Sequence, residues 1–356
     1  MLILSNIRTT KNNLLLAVPA TFLLLTVSAF SFSQNKDSAD HFFQKGLQEK
    51  QNGRRLESLK QFEKALKYDT TSQALFAELA SVYMDLRKYH HAREAYKKLV
   101  QLGDNSAVNY KQLLTLSFNL KQQDDVLLYA DKLKKADPSE KVNFYIGKVH
   151  YDRENYGEAI QTLNTAANED PANAEVPYMI ARSYADMLNY KQSIPFFQKA
   201  IALDSTKPYW IYEMALIYYA MNDSKNTLKY MLEAGNKGLP KGNDYMENLG
   251  IAYLDLGDLE NGIKIMNEIL KRKPSDINIL NMVAEAYYYK GKYNDAIDYW
   301  DKILEYDKQN ASALYMIGMS YQKKGDKDKG QLLCDKAIEM DPGLANLKQK
   351  KQMPGL

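Results

Sequence analysis

"LGIAYLDLGDLENGIKIMNEILKRKP", residues 249–274, holds the pattern that decides the fold. Gly250 stands three residues before Tyr253, Gly262 follows twelve residues after Gly250, and Pro274 closes the stretch. Reading outward in both directions finds the same small position again at Gly46, Ala80, Leu114, Gly147, Ala181, Ala215, Ala284 and Gly318. With Gly250 in place, the successive spacings are 34, 34, 33, 34, 34, 35, 34 and 34 residues. The second small column runs through Ser58, Ala92, Val126, Ala159, Ser193, Thr227, Gly262, Ala296 and Gly330. Three residues after the first column come Glu49, Tyr83, Ser117, His150, Tyr184, Tyr218, Tyr253, Tyr287 and Tyr321. Six of these nine are Tyr, which marks a packing position rather than chance.

Two small columns at fixed separation have a physical cause. Each unit reads as two helices joined by a short turn, and small side chains lie where the two cross most closely. Each unit ends in a breaker: "YDTT", "LGDN", "ADPS", "EDPA", "LDST", "KGLP", "RKPS", "YDKQ" and "MDPG". Pro cannot continue a helix and Asp caps the next one. The third unit departs most, with Leu114, Ser117 and Val126 at the three diagnostic positions, so looser or shifted packing is expected there.

The period and the columns resemble the tetratricopeptide repeat (TPR) family, whose unit of about 34 residues carries W-x2-L-G-x2-Y…A-x3-F…P. "LGIAY" (249–253) and "IGMSY" (317–321), with "GIKIMNEILKRKP" and "GQLLCDKAIEMDP" after them, match best. The resemblance covers nine consecutive units: 39–72, 73–106, 107–139, 140–173, 174–207, 208–242, 243–276, 277–310 and 311–342. It implies an all-α fold, a right-handed α-solenoid of about nine tandem helix-turn-helix units, with 343–356 as a C-terminal capping helix and tail. No internal linker is evident; the nearest candidate is "AGNKGLPKGND", 234–244.

The resemblance places function on the inner face of each unit's first helix. Positions 2, 5, 9 and 12 of a unit share one side of a helix with 3.6 residues per turn. Units three to six carry an aromatic run there: Phe118, Phe144, Tyr151, Tyr178, Tyr209, Tyr212 and Tyr219. Lys111, Lys141, Lys148 and Arg182 lie in units three to five, while Asp244, Glu247 and Glu285 lie in units seven and eight. Tyr288 and Tyr315 complete the expected partner-binding set. Tyr offers large area, little entropy loss and a hydroxyl, which suits recognition. The expected ligand is an extended peptide or a helix, acidic toward units three to five and basic toward units seven and eight. The same aromatic face also suits stacking on a glycan or peptidoglycan. The clamp of basic and Asn side chains that some family members use for C-terminal carboxylates is not matched in full. Within "AYYYK", the 100° step between neighbours separates three tyrosines: Tyr287 into its own helix pair, Tyr288 into the binding set, Tyr289 onto the rim.

Other function classes find no support. Among 356 residues, 47 basic side chains face 44 acidic ones, a balance that gives no polyanion-binding signal and no expectation of nucleic acid. His41, His90, His91 and His150 lack metal-ligand spacing, and Gly235, Gly238 and Gly242 follow no strand, so no phosphate loop is expected. Cys334, the one cysteine, falls in a core column with Phe62, Tyr96, Leu163, Phe197, Met231, Met266 and Trp300. No catalytic residue, metal or small-molecule cofactor is expected.

The first 33 residues differ from the rest. Arg8 and Lys11 precede an apolar run, Leu14 to Val27, and then "SAFSFSQ". That is the layout of a secretory signal peptide. Cleavage is compatible with Ala29, Ser31 or Ser33; after Ser33 it leaves Gln34 first, with 34–38 as a short N-terminal segment. An uncleaved anchor is the rival reading, because residues 12–33 carry no charge. Export to the periplasm or cell envelope is expected, with membrane attachment only if the segment stays. Asp37-Ser38-Ala39, Asp69-Thr70-Thr71 and Asp204-Ser205-Thr206 resemble the Bacteroidetes O-glycosylation tripeptide, although the second and third have a plain capping role as well.

Overall fold

A computed structural model describes residues 36–346, so the signal segment at 1–33 and the tail from 347 onward lie outside the described residues. Among the described residues there are eighteen α-helices, one 3-10 turn and no strand. They fall into two compact units, one ending at Glu169 and the other beginning at Asp170. The first unit holds α1 (36–51), α2 (Arg55–Leu66), α3 (Gln73–Asp85), α4 (Tyr89–Gln101), α5 (Ala107–Asn119), α6 (Gln123–Ala136), α7 (Asn143–Asp152) and α8 (Tyr156–Glu169). The second holds α9 (Glu175–Asp186), α10 (Tyr190–Leu203), α11 (Pro208–Ala220), α12 (Ser224–Asn236), α13 (Asn243–Asp255), α14 (Leu259–Leu270), α15 (Ile277–Tyr289), α16 (Tyr293–Tyr306), α17 (Ala311–Lys324) and α18 (Lys327–Met340). Odd- and even-numbered helices pair as nine hairpins, which is the repeat solenoid class read from the period.

The crossing inside each hairpin is as tight as the small columns require. A Cβ added to Gly318 would lie 2.7 Å from Cys334 Sγ and 2.8 Å from the Gly330 carbonyl. One added to Gly46 would lie 2.4 Å from the Phe62 ring, and one on Gly250 would lie 2.8 Å from Met266 Cε. Ser58 Oγ donates to the Gly46 carbonyl at 2.8 Å, tying the two columns together. The residue sixteen beyond each first-column position fills the space beneath it. In the third unit that residue is Ala130, so the larger Leu114 is accommodated by exchange of volume between the two helices. Leu114, Val126 and Ala130 are all buried, and looser packing is not what the unit shows. Ser117, which replaces Tyr there, receives a hydrogen bond from Arg93 Nε of α4 at 3.3 Å, and the same guanidinium pairs with Asp125.

The Tyr column packs within its own hairpin. Tyr184 stacks on Phe196 at 5.6 Å, Tyr218 on Tyr230 at 5.3 Å and Tyr287 on Tyr299 at 5.6 Å. Each position of that column does a second job. Its carbonyl accepts the amide hydrogen bond that closes the hairpin turn, from Arg54 to Glu49 through to Asp326 to Tyr321. The residue just before each donor has positive φ: Gly53, Arg87, Lys121, Glu154, Leu188, Asn222, Gly257, Gly291 and Gly325. Nine left-handed turns thus recur at the repeat period, four with Gly and five without. The paired bond and left-handed residue form a Schellman-type stop.

Between units, Asp, Asn and Ser cap the next helix. Ser72 accepts from the Leu75 amide, Ser106 from Asn109, Asp276 from Ile279 and Asn310 from Ala313. Asp69 and Asp204 accept from the backbone amide and hydroxyl of Thr71 and Thr206, which is the turn-capping role of those two motifs. Residues 36–38, set apart in the sequence reading, belong to the first turn of α1. The loop after α12 does not divide the chain: Tyr245 of α13 donates to the Met231 carbonyl of α12 at 3.0 Å across it. At the far end the 3-10 turn Pro342–Leu344 buries Leu344 against the last hairpins.

Two glycines separate the two constraints. Gly318→Ala crowds the helix crossing and is expected to lower stability by about 1–3 kcal/mol. Gly291→Ala meets nothing within 4 Å and bears only its left-handed backbone (φ +75), at a cost of about 1 kcal/mol. Urea unfolding followed by far-ultraviolet circular dichroism measures both; an unchanged midpoint for Gly318→Ala refutes the crowded crossing.

Candidate functional site

In the first unit the expected binding set is largely occupied by its own neighbours. Phe118 sits 5.0 Å edge-on from Tyr145 and 6.2 Å from Phe144, so these rings join α5 to α7. Tyr151 lies 5.7 Å from Tyr156 and has Lys148 Nζ 5.2 Å above its ring. Lys148 also pairs with Asp152 at 2.7 Å, and Lys111 pairs with Glu140 at 2.8 Å. Lys141 is exposed on the same stretch. Lys111 and Lys148 of the basic stripe are thus each paired with a carboxylate of the same unit.

In the second unit the set is arranged around α11, "PYWIYEMALIYYA". A helix apolar on every side is one whose faces all need cover. Trp210, Ile211, Met214, Ala215 and Tyr218 meet that need by burial in the hairpin stack. Tyr209 and Tyr219 do not: they are 54% and 41% exposed. Tyr212, between them on the same side, is half-buried; its hydroxyl accepts from Asn248 Nδ2 of α13 at 2.8 Å, and its ring lies 6.0 Å from Tyr245 and 6.2 Å from Tyr209. On α9, Tyr178 stacks on Trp210 at 4.6 Å, which makes it a joint between helices more than a free face.

Beside that joint lies a group the sequence reading overlooked. Glu213 is the one charged residue of α11. Its Oε1 is 3.9 Å from Arg182 Nε, and its Oε2 is buried without a hydrogen-bond partner. Burial pushes the Glu213 carboxyl above its ordinary range, against the lowering pull of the Tyr178 hydroxyl and the Arg182 charge. Burial and then the Glu213 charge push the Tyr178 phenol up. The sign that could have exposed Glu213 was its isolation: a lone acid in an apolar helix must have a local partner.

Farther along, Glu247 on α13 is half-buried and Asp244 is exposed; neither has a hydrogen bond or ion pair among the described residues. Glu285 on α15 accepts from Asn281 Nδ2 at 2.8 Å, and Asn281 Oδ1 accepts from Trp300 Nε1 at 2.8 Å. Burial pushes the Glu285 carboxyl up. The three neighbouring tyrosines part company: Tyr287 packs, Tyr289 is 57% exposed, and Tyr288 rests edge-on against Tyr293 at 5.4 Å and Trp300 at 6.0 Å. Tyr315 is a correction. It is 1% exposed, enclosed with Trp300 and Cys334 in the core of the last hairpins, and cannot touch a ligand there. Cys334 Sγ donates to its carbonyl at 3.6 Å.

The Glu213 cluster sets a pH dependence. The folded chain holds the Glu213 proton to higher pH than the unfolded chain, where release occurs near about 4.3. Stability from this group is therefore full at low pH and is lost as pH rises through the folded value. The melting temperature of Glu213→Gln relative to wild type should climb between pH 4 and pH 7.5. A difference that stays flat across that range contradicts the assignment.

Family models agree with this architecture. Models described as tetratricopeptide repeat match residues 282–345, and also 74–102 with 244–276. One described as anaphase-promoting complex, cyclosome, subunit 3 matches residues 119–200. No curated protein matches the chain in sequence. Among solved structures, the C-terminal part of a TPR repeat-containing protein from Cytophaga hutchinsonii is 18% identical with a TM-score of 0.52, covering 67% of this chain and 98% of that one. A TPR protein from Parabacteroides merdae is 13% identical with a TM-score of 0.46, covering 70% and 99%. YrrB, titled a TPR protein with an unusual peptide-binding site, is 20% identical with a TM-score of 0.45, covering 53% and 98%. With nine hairpins in register and repeat models matching in both compact units, the chain belongs to the tetratricopeptide repeat family.

Proposed function

We propose that this protein is a non-enzymatic interaction scaffold that binds an extended polypeptide, or a helix, on the first-helix face of its repeats. The exposed side of α11 carries the reading. Tyr209, Tyr212 and Tyr219 span about 15 Å of helix axis at 1.5 Å per residue, a length matched by four or five residues of extended chain. Large amphipathic rings in a row, with Tyr212 held by Tyr245 and Asn248 and Tyr209 resting against Tyr212, are suited to hold a partner with little loss of side-chain entropy. Both free rings lie at the ends of one rigid element, so a partner that spans them gains area at two points.

We place the protein in the cell envelope on the strength of its N-terminal segment. Among the described residues no helix is long and apolar enough to cross a bilayer. The protein recovered from the envelope fraction of its own cells should begin at Gln34. Terminal sequencing that finds Met1 there instead favours the uncleaved anchor.

The double variant Tyr209→Ala/Tyr219→Ala tests the face, because both side chains are exposed and the fold should not depend on them. Crosslinking in intact cells should recover partner at least tenfold less well, a loss of about 1.4 kcal/mol, with the melting temperature unchanged. Undiminished recovery removes α11 as the site. Retention on purified peptidoglycan or polysaccharide without any protein partner moves the reading to glycan binding.

A further inference from the structure

The three consecutive first helices α11, α13 and α15 carry five carboxylates, Glu213, Asp244, Glu247, Asp255 and Glu285, and no Lys or Arg. The bases of the same hairpins stand elsewhere: Lys225 and Lys229 on α12, Lys264 on α14, Lys302 on α16, with others in the turns. The backing helices α12, α14 and α16 also carry acids, so the first-helix layer alone is single-signed. Arg182 answers Glu213, but Asp244 and Glu247 have no hydrogen bond or ion pair among the described residues.

Many rings already hold one of the chain's own lysines, Trp210 of α11 under Lys207 at 5.9 Å among them. On the backing side the chain's own lysines sit over tyrosines: Lys229 lies 4.7 Å from the Tyr230 ring centre and Lys302 4.4 Å from that of Tyr299. Tyr209, Tyr212 and Tyr219 have no such cation among the described residues. A ring face attracts a cation through its quadrupole, and a neighbouring carboxylate adds to that attraction. Here the carboxylates come from α13: Asp244 and Asn248 are one turn apart, and Asn248 holds the Tyr212 hydroxyl, so Asp244 acts on the Tyr212 phenol.

We infer that the second compact unit selects an extended peptide bearing lysine or arginine, with a cation seated over the Tyr209 and Tyr212 rings and against Asp244 and Glu247. This rests on the proposed binding face and names the chemistry of what it takes. Peptide main chain would run past the tyrosines while alternate side chains reach the carboxylates.

Fluorescence anisotropy on the full chain tests it, with labelled peptides of equal length in which lysine, glutamate or glutamine alternates with leucine and glycine. The lysine peptide is expected to bind at least tenfold more tightly than the glutamate peptide, and to weaken as salt rises. Asp244→Asn/Glu247→Gln should cut its affinity at least fivefold with the melting temperature unchanged. Equal binding of all three peptides overturns the charge selection and leaves the binding face standing. A lysine preference that survives the double variant overturns the assigned seat. Binding of none of the three overturns the binding face as well.

Discussion

The close crossing of the two helices in each hairpin is the constraint on which the rest depends. Where Gly318 faces Gly330, backbone carbonyls and Cβ positions compete for the same space. That proximity fixes the axis of the second helix relative to the first. It thereby fixes which side of the first helix is left for a partner. The residue sixteen positions on then only has to fill what remains, and the column accepts Phe62, Met266, Trp300 or Cys334 in turn. Leu114 over Ala130 shows that the rule concerns shared volume, not the identity of either residue. Exchange of this kind is what close-packed interiors tolerate best.

Much of the fold was legible because its determinants repeat. A weak preference for small residues becomes decisive when nine copies agree in register. The left-handed turn repeats just as strictly, yet it was not read. Gly marks it in four hairpins, while Arg87, Lys121, Glu154, Leu188 and Asn222 hide it in the other five. Of these five only Asn222 is a residue type suited to positive φ; at the other four the bond to the Tyr-column carbonyl accompanies it with no local sign in the sequence. The site was less legible for a different reason. Spacing tells which side of a helix a residue takes, but not what the neighbouring helix puts opposite. Lys111 reads as a free base until Glu140 is seen 2.8 Å away. Tyr315 occupies a binding-face position by number and is enclosed by the final hairpins in space.

The same limit explains why the aromatic run divides. In a stack of hairpins, a large ring at position 5 of one first helix reaches the next first helix. Tyr178 meets Trp210 and Tyr212 meets Tyr245 in this way. Such rings set the spacing of the face that others present. Only rings near helix ends, such as Tyr209 and Tyr219, escape this coupling and stay open. Packing and recognition therefore draw on one residue type for two purposes, and position along the helix decides between them.

The five non-glycine left-handed turns fall in consecutive hairpins, the second to the sixth, with glycine at the same place in the first and in the last three. These turn positions belong neither to the two small columns nor to the tyrosine set of α11. In a chain whose repeats interact chiefly with their neighbours, local opening is set hairpin by hairpin. Each of these positions is thus a separate adjustment of how readily one hairpin opens. Stability can drift or be tuned along the array, one turn at a time, while the binding chemistry stays as it is.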